Sequence, residues 1–215
     1  MKPVAFALAA LLTLPAPVWA APSGVKQLAL AQDLFAYGVD MRDPLAVLTA
    51  AKITAAIPVT ELARPVETRP GASAANQDGT EDGGLPPSAP EMFAVARDFA
   101  GGDDYLLSLI EDAEVEGHRG AVDGASRTLN RLQAGYIDMV KVEFKGGELA
   151  ELAILGAEGA NLDLKITDAQ GKTICIERGN SDKLYCAWTP ASDGIFYAEV
   201  ENLSSQRNSY YLLTN

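Results

Sequence analysis

The chain has 215 residues, with 17 basic and 29 acidic side chains and a formal net charge of −12. With 48% hydrophobic and 21% charged residues it has the composition of a globular protein, not of a disordered one. The acidic balance excludes a nucleic-acid surface, which needs clustered Lys and Arg. One histidine and two cysteines exclude a His-rich metal centre and a four-cysteine zinc site.

Residues 1–20 read as an export leader. Lys2 supplies the positive start and Val4 to Leu14 an apolar run too short to span ~30 Å of hydrocarbon. Val18-Trp19-Ala20 places small or aliphatic residues at −3 and −1, which predicts cleavage after Ala20 and a periplasmic or extracellular protein. No later stretch holds 18 uninterrupted apolar residues, so no membrane span is expected after cleavage.

Residues 21–57 predict a helical hairpin. Leu28, Ala31, Phe35 and Val39 recur at spacings of three and four. Asp43-Pro44 then reads as an N-cap and first helical position, restarting a second helix. Such a pair buries only one face of each helix against itself, so it needs something to pack on. Residues 58–90 carry six prolines and no aromatic residue, which predicts a flexible linker. Residues 91–118 predict two more short helices, the second capped by Asp103. The acidic set Glu111, Asp112, Glu114 and Glu116 on that helix reads as a solvated face. His118 reads as an exposed loop residue.

From about residue 119 the hydrophobic period falls from 3.6 to two. Val140, Val142 and Phe144 alternate with Lys141 and Glu143, and Leu162, Leu164 and Ile166 alternate with Asp163, Lys165 and Thr167. Gly146-Gly147, Asp168 to Gly171 and Asp193-Gly194 mark turns, the glycines sitting where a positive φ is expected. Short strands at regular spacing predict an antiparallel β-sandwich over 119–215, and an α+β chain as a whole.

Cys175 and Cys186 are the only cysteines, and in an exported protein an even count predicts a bridge. A hairpin turning between Asn180 and Ser181 would set 175 directly opposite 186, with Ile174 facing Ala187 and Ile176 facing Tyr185. The Cα atoms would then lie ~4.5 Å apart.

The run Asn161-Leu162-Asp163-Leu164-Lys165-Ile166-Thr167-Asp168-Ala169-Gln170-Gly171 resembles the DLDLxVxDxxG segment of bacterial pre-peptidase C-terminal (PPC) domains. Residues 189–202, with Pro190 and Gly194 before the last strands, are similar to that family's closing pattern. Gln133-Ala134-Gly135 and Gly146-Gly147 fit its opening hairpin. The resemblance covers roughly 119–215. It implies a jelly-roll-like sandwich, a kind of module often appended to secreted proteases, where it aids secretion or substrate and matrix binding and sometimes holds calcium. The calcium ligands it suggests here are Asn161, Asp163 and Asp168, set against plain strand and turn roles for the two aspartates.

The sequence carries no HExxH, no GxSxG and no Walker loop, so no cofactor and no catalytic residue is assigned. Trp188, Tyr197 and Tyr210 are the aromatic candidates for a sugar-stacking surface. The reading that follows is an exported non-catalytic protein, a β-sandwich binding or stabilising module with a helical docking segment. Its partner would be an envelope protein or an extracellular glycan. The alternatives are a secreted hydrolase or inhibitor with a site between helices and sandwich, or a carbohydrate-binding protein.

Overall fold

The computed structural model describes residues 23–72, 84–116, 124–157 and 159–215. The leader expected at 1–20, most of the low-complexity stretch (73–83) and His118 lie outside the described residues.

Helix α1 (Gly24–Met41) starts where Ser23 Oγ accepts from Lys26 N at 3.2 Å. It stops at Arg42, whose left-handed φ of 51° breaks the helix and whose guanidinium lies 4.9 Å over the Phe99 ring. Asp43 then caps α2 (Pro44–Ala56), its Oδ1 accepting from Leu45 N at 2.9 Å and Ala46 N at 3.2 Å. Gly38 lets the two helices touch, since a Cβ there would lie 2.7 Å from Val47 Cγ2. Helix α3 (Ala89–Ala100) begins on a capping box in which the Glu91 carboxylate accepts from Ser88 N at 2.7 Å. Asp103 caps α4 (Asp104–Glu116). The four helices share one core, in which Phe35, Val47 and Leu48 meet Met92, Phe93, Ala96, Ile110 and Ala113. On α4, Glu111, Asp112 and Glu116 face solvent and Glu114 pairs with Arg97.

Among the described residues ten strands follow or interleave: β1 (Val59–Glu61), β2 (Val66–Pro70), β3 (Ala125–Leu132), β4 (Tyr136–Phe144), β5 (Ala150–Gly156), β6 (Leu162–Asp168), β7 (Thr173–Glu177), β8 (Lys183–Trp188), β9 (Gly194–Asn202) and β10 (Asn208–Thr214). One sheet has the order β1-β3-β10-β5-β8 and the other β2-β4-β9-β6-β7. The eight strands β3 to β10 thus follow jelly-roll order, the chain changing sheet at every connection except β6 to β7. Among the described strands every pairing is antiparallel except β1 with β3. Inward side chains of both sheets, among them Val140, Leu152, Ile154, Leu164, Ile166, Val200 and Leu212, form the sandwich core. The Asp168 turn closes on Gly171 at φ 81°, as its sequence predicts.

Two expectations are corrected. Residues 58–70 are not linker. They supply β1 and β2, which pair with β3 and β4 and cover an edge of each sheet. Pro58, Pro65 and Pro70 read as breakers, but edge strands tolerate proline because one side of their backbone needs no partner. Arg64, between the two strands, fastens the strap by donating to Thr128 Oγ1 at 2.5 Å and Thr214 Oγ1 at 2.7 Å. The second correction concerns the bridge. Cys175 and Cys186 are bonded, but not across a hairpin. Strand β7 pairs with β6, placing Cys175 beside Ile166, and β8 pairs with β5, placing Cys186 beside Leu152. Residues 178–182 carry the chain from one sheet to the other, so the disulfide crosses the sandwich between two edge strands at a Cα separation of 6.3 Å.

Because the bridge spans only 11 positions, the chain-entropy argument gives it about 3 kcal/mol. Cys175→Ser should lower the melting temperature in calorimetry by an amount matching reduction of the wild type, with the helical circular dichroism unchanged. A melt indifferent to both would show that the bridge does not hold the sheets together.

Candidate functional site

The helical layer lies on the outer face of the β1-β3-β10-β5-β8 sheet. Val25, Leu28 and Ile57 pack against Ala125, Ala153, Leu155 and Leu213. All seven residues of β5 are buried, Glu151 and Ala153 as well as the alternating Leu152 and Ile154. Glu151, 1% exposed, accepts from Tyr185 Oη in this layer. Burial and that carboxylate together push the Tyr185 hydroxyl far above the ordinary phenol range.

The face of α1 turned away from the sheet is the unusual surface. Leu30, Tyr37 and Met41 are 57%, 55% and 62% exposed. At about 100° per residue these three and the half-buried Leu34 fall in one stripe ~60° wide, opposite the buried Leu28, Ala31 and Phe35. Leu45, at the start of α2, is 51% exposed as well. Asp33 and Asp40 flank the stripe on one side. Partial burial raises the Asp33 pKa, Lys183 lowers it, and Asp182 raises it further.

The residues singled out from sequence do not converge. Asp163 lies on the outer face of the second sheet, 3.4 Å from Arg178 Nε. Asp168 Oδ1 accepts from Gln170 N at 3.0 Å and Lys172 N at 2.9 Å, which occupies it in its own turn. Five positions apart on one strand, the two aspartates point to opposite faces roughly 17 Å from each other. Asn161 lines a cleft of about 490 Å³ beside α1, with Asp40, Asp182 and Lys183. The three therefore form no common cation site. Among the described residues the one tight cluster of metal-ligating types is Glu177 with the two bridged cysteines, whose sulfurs are already bonded to each other.

The aromatic candidates separate too. Trp188 packs inward, with ring centroids 4.9 Å from Phe144 and 5.3 Å from Phe196. Tyr197 is half-buried on the opposite, outward parity of β9. Tyr210 is fully buried, because it shares the inward parity of Leu212, so it belongs to the core and not to a ligand surface. The outward residue is Tyr211, which is covered by the helical layer and carries the Arg127 guanidinium 4.3 Å over its ring.

Sequence reasoning missed Asp138. It sits on the inward parity of Val140 and Val142, 2% exposed in the sandwich interior. Tyr210 Oη donates to its Oδ2 at 2.8 Å and Thr68 Oγ1 to its Oδ1 at 2.5 Å. Burial raises its pKa, and the two hydroxyl donors only partly oppose this. The signal was an acid in an otherwise apolar register.

No protein family and no curated protein matches the chain. Among solved structures, the pre-peptidase C-terminal domain of a collagenase from Bacillus anthracis is similar at 8% identity, over 74% of this chain and 96% of that one, with a TM-score of 0.29. At that score the likeness supports nothing about ligand or partner.

Because folding raises the Asp138 pKa, its contribution to stability falls as pH rises above the ordinary carboxyl range. Asp138→Asn keeps an acceptor for one hydroxyl and offers a donor to the other without burying charge. Relative to wild type it should gain stability between pH 5 and pH 7 in parallel calorimetric melts. Asp138→Leu, which strands both hydroxyls, should lose about 2 kcal/mol or more at either pH.

Proposed function

We propose that this is an exported, non-catalytic interaction protein whose rigid sandwich presents α1 to a helical partner. The observation that carries this reading is the stripe in which Leu30, Tyr37 and Met41 are exposed and Leu34 is half-buried against the helical core. Its 4-3-4 spacing is the seam along which one helix packs on another. A monomer seldom leaves such a contiguous apolar surface open without use. The flank sets the partner's charge. Asp33 and Asp40 border the stripe and the chain carries −12 overall, so the matching surface is an amphipathic helix with Lys or Arg beside its apolar face. Export is supported by the leader-like residues 1–20 and by the Cys175–Cys186 bridge, which suits an oxidising compartment. The non-catalytic reading is supported by the buried carboxylates. Glu151 accepts from Tyr185, and Asp138 from Tyr210 and Thr68.

Fluorescence anisotropy with a labelled synthetic Leu/Lys amphipathic helix, and with its Leu/Glu counterpart, tests the docking face. The Leu/Lys peptide should bind and the Leu/Glu peptide should not. Tyr37→Asp with Met41→Asp should weaken binding at least tenfold while leaving the melt in place. Those substitutions add negative charge, so purely electrostatic attraction would strengthen instead, and that result would refute the stripe. Export has its own test. When the full chain is expressed in a Gram-negative host, N-terminal sequencing of the soluble envelope fraction should begin at Ala21. A product that retains Met1 in the cytosol would end the export reading.

A further inference from the structure

We propose that a cavity between the helical layer and the outer face of the first sheet binds a small, neutral, largely apolar molecule bearing one hydrogen-bond donor, of the phenol class. The cavity has a volume of about 180 Å³. Its walls are Leu28 of α1, Val59 of β1, Leu155 of β5, and Tyr211 and Leu213 of β10. Leu28 and Leu213 are 5% and 1% exposed, whereas Arg127, also lining it, is partly open to solvent. The space therefore runs inward from Arg127 to an apolar floor. A dry apolar cavity of ~150 Å³ is known to admit benzene, so one aromatic ring fits this volume.

The polar lining selects the ligand further. Gln32 is 4% exposed, and its Nε2 donates to Pro87 O at 3.1 Å. A carbonyl only accepts, so Pro87 fixes the orientation of the amide and leaves Gln32 Oε1 as the atom turned elsewhere. That oxygen is buried without a hydrogen-bond partner. A buried acceptor left open is costly, and a ligand hydroxyl or ring N–H would satisfy it. Three of the other polar side chains in the lining are engaged within the protein. Thr54 Oγ1 donates to Ala50 O at 3.0 Å, and Ser88 Oγ donates to Glu91 Oε2 at 2.6 Å. Arg127 donates to Glu61 through Nε at 2.8 Å and through Nη2, and its plane rests on Tyr211. With its charge balanced by Glu61, Arg127 offers little to an anion, and the net charge of −12 disfavours one further. Apolar walls with one convergent polar atom are the usual build of a small-molecule site.

Ligand-observed NMR on the full chain, with phenol, toluene and benzoate as probes, tests the site. Phenol and toluene should both bind and raise the melting temperature with concentration, phenol should shift the Gln32 side-chain amide resonance, and benzoate should do neither. Gln32→Leu should move the phenol-to-toluene affinity ratio roughly fivefold toward toluene, the worth of one neutral hydrogen bond. If that variant folds poorly, Gln32→Met replaces it. Leu28→Phe, which fills the cavity, should abolish both signals. The proposal fails if neither neutral probe binds, if the ratio is the same with and without Gln32, or if benzoate binds more tightly than phenol.

Discussion

The outer face of the β1-β3-β10-β5-β8 sheet is too apolar to be left in water, and the rest of the molecule is arranged around that fact. Ala125, Ala153, Leu155 and Leu213 project from it toward what would be solvent in an isolated sandwich. The other sheet needs no such cover. Its outward side chains pair with one another, Glu199 with Arg69 at 3.0 Å and with Lys165 at 3.1 Å, and Asp163 with Arg178. Exposed pairs of this kind contribute little to stability individually, but they make a face that is content in water. One sheet is therefore finished by charge and the other by helices.

That asymmetry fixes the orientation of α1. Val25 and Leu28 dock it on the sheet, while Phe35 and Val39 tie it to the helical core. Two neighbouring surfaces, a sheet and a helix pair, use up somewhat more than half of its circumference. What remains is the Leu30 to Met41 stripe. Helix and sheet also meet as two curved surfaces of different period, and the space they fail to fill is the cavity at Gln32.

The fold was legible where one local rule decided the outcome. The caps at Asp43 and Asp103, the turn at Gly171 and the strand alternation of β4, β6 and β9 each depend on a few adjacent residues. It was illegible where distant partners decided. Val59 to Pro70 has too little β character to form strands alone, and does so because β3 and β4 offer open edges. The cysteines showed that they would meet, but their spacing fits a hairpin and a sheet-to-sheet crossing equally well. Only the pairing of β7 with β6 and of β8 with β5 separates the two. The site followed the same division. Gln32 lies one turn beyond Leu28 and Asp138 two places before Val140, so spacing puts both on buried faces, yet neither was singled out from the sequence. What each would face could not be read from spacing.

The disulfide and the Arg64 strap act on opposite margins of the sandwich. On one margin the short link between β1 and β2 joins the two sheets, and Arg64 in that link is fastened to Thr128 and Thr214 of the first. On the other, the β7–β8 crossing is held by Cys175 and Cys186. With both margins tied, sliding of one sheet over the other is costly, and the apolar outer face keeps a fixed curvature beneath α1. A docking helix gains from that rigidity, because a partner that meets a preformed stripe loses less freedom on binding than one that must first order it. On the docking reading proposed above, the sandwich has a mechanical part in recognition even though its own charged face need touch no partner at all.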